Sequence, residues 1–243
     1  MCLSMYVLEN ISFMSEGDKN MKPSERKLLL KIARNQEPQD VFDSLKKGKG
    51  SVSAYSKIVN AQLEMGITEM HLPEPWNGHL SDAEVMIISS NPSLAADEMF
   101  PTKKWSDDDI ANFFDCRFAG NQRKVRFWTC IAKYVSWIVG KDAEDLDSSE
   151  ILDRFVVSTE IVHCKSKGKE GVDDCVGEEV KFMDEIINLF SGKYVIILGD
   201  TAKRFYEDSV FKIKDKKVAF MHEPTFPQSE EERKASILKQ LKL

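Results

Sequence analysis

Hydrophobic positions along the chain change their spacing near residue 84. Before it, apolar residues recur at helical intervals. Lys22 to Asn35 carries a start signal in Pro23-Ser24-Glu25 and an apolar set at Leu28, Leu29, Leu30, Ile32 and Ala33, which predicts a helix. Gln39 to Lys47 and Val52 to Met65 are further helical segments, the second stopped by Gly66. Two prolines in Leu72-Pro73-Glu74-Pro75-Trp76-Asn77-Gly78 predict irregular structure there.

After residue 84 short continuous apolar runs alternate with longer periodic segments. Val85 to Ile88, Phe155 to Val162, Tyr194 to Leu198 and Val218 to Met221 read as buried strands. Between and after them, helices are predicted at Ser106 to Phe114, Val125 to Val139, Cys175 to Phe190, Thr201 to Asp208 and Ser229 to Leu241. Ser106 is a natural N-cap, followed by three aspartates in the first turn. Strands alternating with helices predict an α/β fold: a three-layer sandwich around a mostly parallel four-stranded sheet. The division expected is an N-terminal helical extension over 1–72 and an α/β domain over 73–243.

Such sheets bind ligands at the carboxyl ends of their strands. Three polar segments fall there: Ser90-Asn91-Pro92-Ser93, Glu160 to Lys169, and His222-Glu223-Pro224-Thr225.

Composition narrows the class. The chain has 243 residues, 42% hydrophobic and 30% charged, as in ordinary globular domains. A net charge of −6 argues against a bulk polyanion coat but allows a local basic patch. No apolar run approaches the ~18–20 residues of a membrane helix. Met1 to Met14 lacks a basic n-region and Glu9 interrupts its apolar stretch, so no signal peptide is expected. Five cysteines without a regular framework suggest reduced thiols and a cytoplasmic protein. Nucleotide-binding glycine motifs, a zinc-protease motif and a nucleophile elbow are all missing. His163-Cys164 with Cys175 could form half of a metal site, but two buried cysteines are the simpler reading.

The strand-end motifs, in their order, resemble the uracil-DNA glycosylase superfamily. Ile88-Ser89-Ser90-Asn91-Pro92-Ser93 stands where the mismatch-specific and single-strand-selective branches have G-[IM]-N-P-G. Phe118-Ala119-Gly120-Asn121 and Arg126-Phe127-Trp128 look like the mismatch-specific branch's next motif. Ser158 to Lys165 resembles T-N-V-V-K-C-R of family 4, and Val195 to Ala202 resembles that family's strand ending in L-G-x-x-A. Met221-His222-Glu223-Pro224-Thr225 sits where the superfamily has H-P-S. Serines replace both glycines of the first motif, and Glu223 is inserted in the last. Only Cys164 and Cys175 match cluster ligands of family 4, so neither an iron–sulfur cluster nor another metal or cofactor is expected.

The resemblance implies a DNA-repair glycosylase that hydrolyses the N-glycosidic bond of a flipped, damaged or deaminated base. The alternative is a non-catalytic nucleic-acid or nucleotide-binding member of the same fold. In the first reading Asn91 would position the attacking water, and His222 would donate to the leaving base as charge builds. An Asx-turn is the plain alternative for Asn91. Phe118 would stack on the base, with Phe100 as rival, while Ser90, Pro92 and Glu160 would complete the pocket.

Glu160 stands where the family usually has a base-reading asparagine. An ionised glutamate only accepts and would repel the O4 of uracil. A glutamate held neutral by burial could donate. A third reading pairs it with a lysine of the following loop. Lys165, Ser166, Lys167, Arg123 and Thr225 would hold the DNA backbone, helped by Lys169, Arg117, Lys124 and Arg126. DNA is the expected partner, and a monomer the expected state.

Overall fold

The computed structural model describes residues 21–116, 118 and 126–243. Five strands form one sheet: β1 (Trp76–Gly78), β2 (Val85–Ser89), β3 (Val156–Glu160), β4 (Tyr194–Leu198) and β5 (Lys217–Met221), in the order β1-β3-β2-β4-β5. Four are parallel, and β1 joins the edge antiparallel to β3. The sheet therefore has one strand more than expected. Pro73 and Pro75 precede the extra strand rather than interrupt it. An edge strand needs a ladder on one side only, so a proline just before it costs no sheet hydrogen bond.

Alternation along each strand divides the core between two faces. Met86, Ile88, Val157, Val195 and Ile197 point to one. They meet α1 (Pro23–Ala33), α2 (Gln36–Lys46), α3 (Ser56–Glu64), α4 (Asp107–Asp115), α7 (Val172–Leu189) and α8 (Asp200–Glu207). Val85, Ile87, Val156, Tyr194, Ile196 and Leu198 point to the other. There they meet α5 (Arg126–Val139), α6 (Ser148–Phe155) and α9 (Glu230–Leu241). The N-terminal helices share a core with the sheet. Leu29, Ile32, Phe42 and Ile58 pack in the same cluster as Met86 and Ile88, so residues 22–64 form part of a layer.

Local signals explain most boundaries. The Ser106 hydroxyl accepts from the Asp109 N–H at 3.1 Å, and Ser229 and Glu232 form a reciprocal capping box. Helix α6 was not foreseen. Asp147 and Glu150 build its capping box, and it runs to Phe155, where the strand was expected to begin.

Gly171 starts α7 with φ +75° and lies against the backbone of α3, where an added Cβ would sit 2.6 Å from the Ile58 nitrogen. Both backbone strain and overlap oppose a side chain there. Gly171→Ala is expected to lower stability by about 2–3 kcal/mol, read as a shifted urea midpoint with an unchanged slope.

The direction of the crossovers sets the ligand edge. From β2 the chain reaches β3 through α4, α5 and α6, the last two on the α9 side of the sheet. It then crosses to β4 and β5 through α7 and α8 on the other face. The reversal falls between β2 and β4, the position at whose carboxyl ends sheets of this kind generally bind ligands.

Candidate functional site at the strand ends

Residues after β2 and β3 stay bonded past the strands themselves. The Ile161 and Val162 N–H groups donate to the Ser89 and Ser90 carbonyls, and Ser166 donates to the Pro92 carbonyl. Leu94 in turn donates to the Ser166 carbonyl. The Asn91-Pro92 turn therefore lies along the loop at Lys165–Gly168. The Asn91 side chain fastens the two: Nδ2 donates to the Gly168 carbonyl at 2.8 Å, and Oδ1 accepts from the Ser90 hydroxyl at 2.8 Å. Pro92 and Ser90 are buried beneath it.

Glu160 ends β3 opposite Ser89, whose hydroxyl donates to Oε2 at 2.5 Å. Burial pushes its carboxyl up to about 8; nearby Glu74 adds to this, while the Ser89 hydrogen bond and Lys165 oppose it. At neutral pH Glu160 is thus a neutral acid with one proton to donate and an acceptor oxygen. Burial favours the neutral form, and the hydrogen bond with Ser89 is one that Glu160 accepts. The loop lysine pairs elsewhere.

That lysine is Lys165, expected among solvent-facing phosphate contacts. It is 2% exposed. Its ammonium lies 2.7 Å from Glu98 Oε2, 3.5 Å from Glu74 Oε2 and 4.1 Å from the centre of the Phe100 ring. Beside it, His71 stacks on Phe100 with centroids 5.3 Å apart. Burial, then the Lys165 charge, hold His71 below its ordinary value. Ser166 is also fully buried, its hydroxyl donating to the Glu170 carbonyl. Both leave the set of backbone contacts, because the β2–β3 pairing continues through this loop and turns its first half inward. Lys167, Lys169 and Thr225 remain exposed. Arg117, Ala119, Gly120, Asn121, Arg123 and Lys124 lie outside the described residues.

Phe118 is 1% exposed and edge-on to Trp128. It fills space left by Gly78, where an added Cβ would come 2.9 Å from the ring. It is part of the core on the α5 side, not an open stacking platform. Phe100, its rival, is also buried, beneath Lys165.

His222 follows β5 at the same sheet edge. Its Nδ1 lies 3.1 Å from Asp200 Oδ1, and its ring stacks on Phe226 with centroids 4.0 Å apart. With Nδ1 donating to Asp200, Nε2 is the ring atom left for a ligand. Three strand spacings separate β3 from β5, roughly 14 Å, so Glu160 and His222 do not touch. The inserted Glu223 reaches back over Gly199, and its carboxylate lies 3.6 Å from the Lys169 ammonium. A cleft of about 340 Å³ opens beside them, lined by Lys169, Val172, Asp173, Asp200, Thr201 and Arg204.

No protein-family model matches the chain, and no curated protein matches it significantly. The site therefore rests on its own geometry.

Several functional candidates have no counterpart in the sequence reading. Glu74 and Asn77 fall in the proline-rich stretch, Glu98 in a polar loop, and Asp200 opens α8. Only the position of Asp200, just after a predicted strand, signalled a site. His163, Cys164 and Cys175 serve the interior. The Glu179 carboxylate accepts from the Tyr55 hydroxyl at 2.5 Å and meets His163 Nδ1 at 2.7 Å. Burial raises Glu179, but the His163 and Tyr55 interactions outweigh it and hold the group below its usual value. Cys164 is fully buried, and Cys175 Sγ donates to the Ala54 carbonyl. Among the described residues, no three His, Cys, Asp or Glu side chains come together as a metal site. No helix among them is long and apolar enough to cross a membrane.

Proposed function

We propose that this chain binds nucleic acid and hydrolyses the N-glycosidic bond of a flipped base, as its strand-end motifs imply. The observation that carries the reading is Glu160: a carboxyl group held neutral at the carboxyl end of a parallel strand, hydrogen-bonded to Ser89. Such a group suits the edge of an uncharged base, which must leave the stack to be reached. Water adds its oxygen to the sugar carbon, and the departing base nitrogen takes up a proton. His222, oriented by Asp200, supplies a hydrogen bond to the base as negative charge develops. Lys167 and Lys169 on the exposed half of the loop supply backbone contacts, so affinity falls as salt rises.

A base-release screen tests this. Oligonucleotides carrying uracil, hypoxanthine, xanthine or a mismatch are incubated with protein, and abasic sites are cleaved with alkali. The expected result is cleavage at one class of base, reduced about a hundredfold or more by His222→Ala. Absence of cleavage on every substrate would refute the catalytic reading.

A second reading has its own support. Both ends of the Asn91 amide are engaged, by Gly168 and by Ser90. A side chain so committed serves the loop and is poorly placed to hold water. In a non-catalytic nucleic-acid-binding protein of this fold that is all Asn91 needs to do. Salt-dependent binding without base release is the outcome that selects it.

A further inference from the structure

Arg233 stands in α9 but serves the loop that follows β5. It is 7% exposed, and among the described residues no carboxylate pairs with it. Its partners are neutral oxygens. Nε donates to the Gln228 carbonyl at 3.3 Å, and Nη2 donates to the Pro224 carbonyl at 3.3 Å and to the Phe226 carbonyl. Nη1 donates to the Tyr134 hydroxyl. Burial raises that hydroxyl above its ordinary value against the opposing Arg233 charge, so it stays neutral. Burying a cation without a counter-ion is unfavourable. An apolar side chain would fill the same space more cheaply, so packing alone does not account for an arginine here.

What the guanidinium secures is the course of the loop. Among the described residues, the backbone from His222 to Gln228 makes one hydrogen bond within itself, from the Phe226 N–H to the Glu223 carbonyl at 2.9 Å. Most of its residues are exposed or half-buried. A segment so poorly bonded samples many conformations unless something outside it holds it. A planar fork can hold several carbonyls in one geometry, and Tyr134 in α5 anchors this fork from the other side. One of the held carbonyls belongs to Phe226, whose ring stacks on His222 with centroids 4.0 Å and planes 17° apart. Asp200 holds the same imidazole at Nδ1. His222 is thus restrained at one edge by Asp200 and on one face by Phe226, and the face depends on where Arg233 puts the loop.

We infer that Arg233 is a positioning residue: it holds the 224–228 loop so that Phe226 fixes the plane of the His222 ring and the direction of Nε2. Arg233 itself touches neither His222 nor a ligand. The consequence for catalysis rests on the base-release reading above; the positioning is a property of the protein alone. Lysine at this position keeps the charge but replaces the fork with a point charge on a flexible stem.

The test reads the imidazole directly, by NMR, without substrate. Stacking on Phe226 shifts the His222 ring protons upfield, and Phe226→Leu supplies the unstacked reference. In Arg233→Lys these protons are expected to move most of the way to that reference while the amides of β4 keep their protection from exchange. The Phe226 amide is expected to exchange slowly in the unaltered protein and about tenfold or more faster in Arg233→Lys. Single-turnover base release should fall about ten- to a hundredfold, with DNA affinity changed less than about threefold. Unmoved His222 signals in a folded Arg233→Lys overturn the inference, as does rapid exchange of the Phe226 amide in the unaltered protein. The second measurement needs no variant and decides the matter if Arg233→Lys fails to fold. Shifted His222 signals with no base release from any substrate by the unaltered protein uphold the positioning and remove the catalytic reading. Shifted signals with an unchanged rate of base release overturn the link from ring orientation to catalysis.

Discussion

Glu160→Gln is expected to stabilise the protein at pH 8.5 and to change it little at pH 4. Burial, first among the causes, lifts the folded-state carboxyl from 4.5 to about 8. Between those values the folded protein holds a proton that the unfolded chain has released. Stability of the natural protein therefore falls as pH rises through this window and levels off above it. Glutamine is neutral throughout and keeps the shape of the protonated acid. A tenfold difference in proton affinity is worth about 1.4 kcal/mol. Allowing for the partial solvent access of Glu160, the variant should gain on the order of 2–4 kcal/mol at pH 8.5. Paired urea titrations from pH 4 to 9 measure the difference. A constant difference across that range would show that Glu160 ionises normally in the folded state, and the neutral-donor account would fall. The same proton predicts a functional limit: base recognition through Glu160 should weaken above pH 8.

Lys165→Met should be among the most damaging single changes in the molecule. It removes the ammonium that lies between Glu74 and Glu98 and takes that charge away from Glu74, which is 5% exposed. Breaking a buried pair from one side typically costs about 3–5 kcal/mol, because the remaining charge is left in a poor solvent. Adding Glu74→Leu should recover part of that loss, since the apolar pair needs no charge partner but the buried Asn77 amide loses its acceptor. The outcome separates two roles for this lysine. A phosphate-binding Lys165 would fold normally when replaced and lose only salt-dependent affinity. A buried Lys165 shows its effect in thermal or urea unfolding with no nucleic acid present. By contrast, the exposed Lys169–Glu223 pair lies beside the cleft in high dielectric and should be worth under about 1 kcal/mol.

Much of the fold was legible because its causes are local. Val85 to Ile88 and Tyr194 to Leu198 are continuous apolar runs too short for helices, and a central parallel strand buried on both faces requires that pattern. Ser106 and Ser229 marked helix starts because a capping hydroxyl acts on N–H groups two or three residues away. The same chemistry was present at Asp147-Ser148-Ser149-Glu150, and the α6 start could have been read from it. Once the strands were placed, their carboxyl ends followed, and with them the segments holding Asn91, Glu160 and His222. What those side chains meet was not local. Lys165 looks like a solvated loop lysine until the β2 and β3 extensions pair and turn it toward Glu74, which precedes β1, the strand next to β3. Asn77 looks like part of a proline-rich turn until β1 aligns it with Ser158. Short-range order is set by periodicity, capping and turn chemistry, all written within a few residues. Burial, charge pairing and the protonation of Glu160 depend on which distant segments become neighbours, and only the assembled sheet decides that.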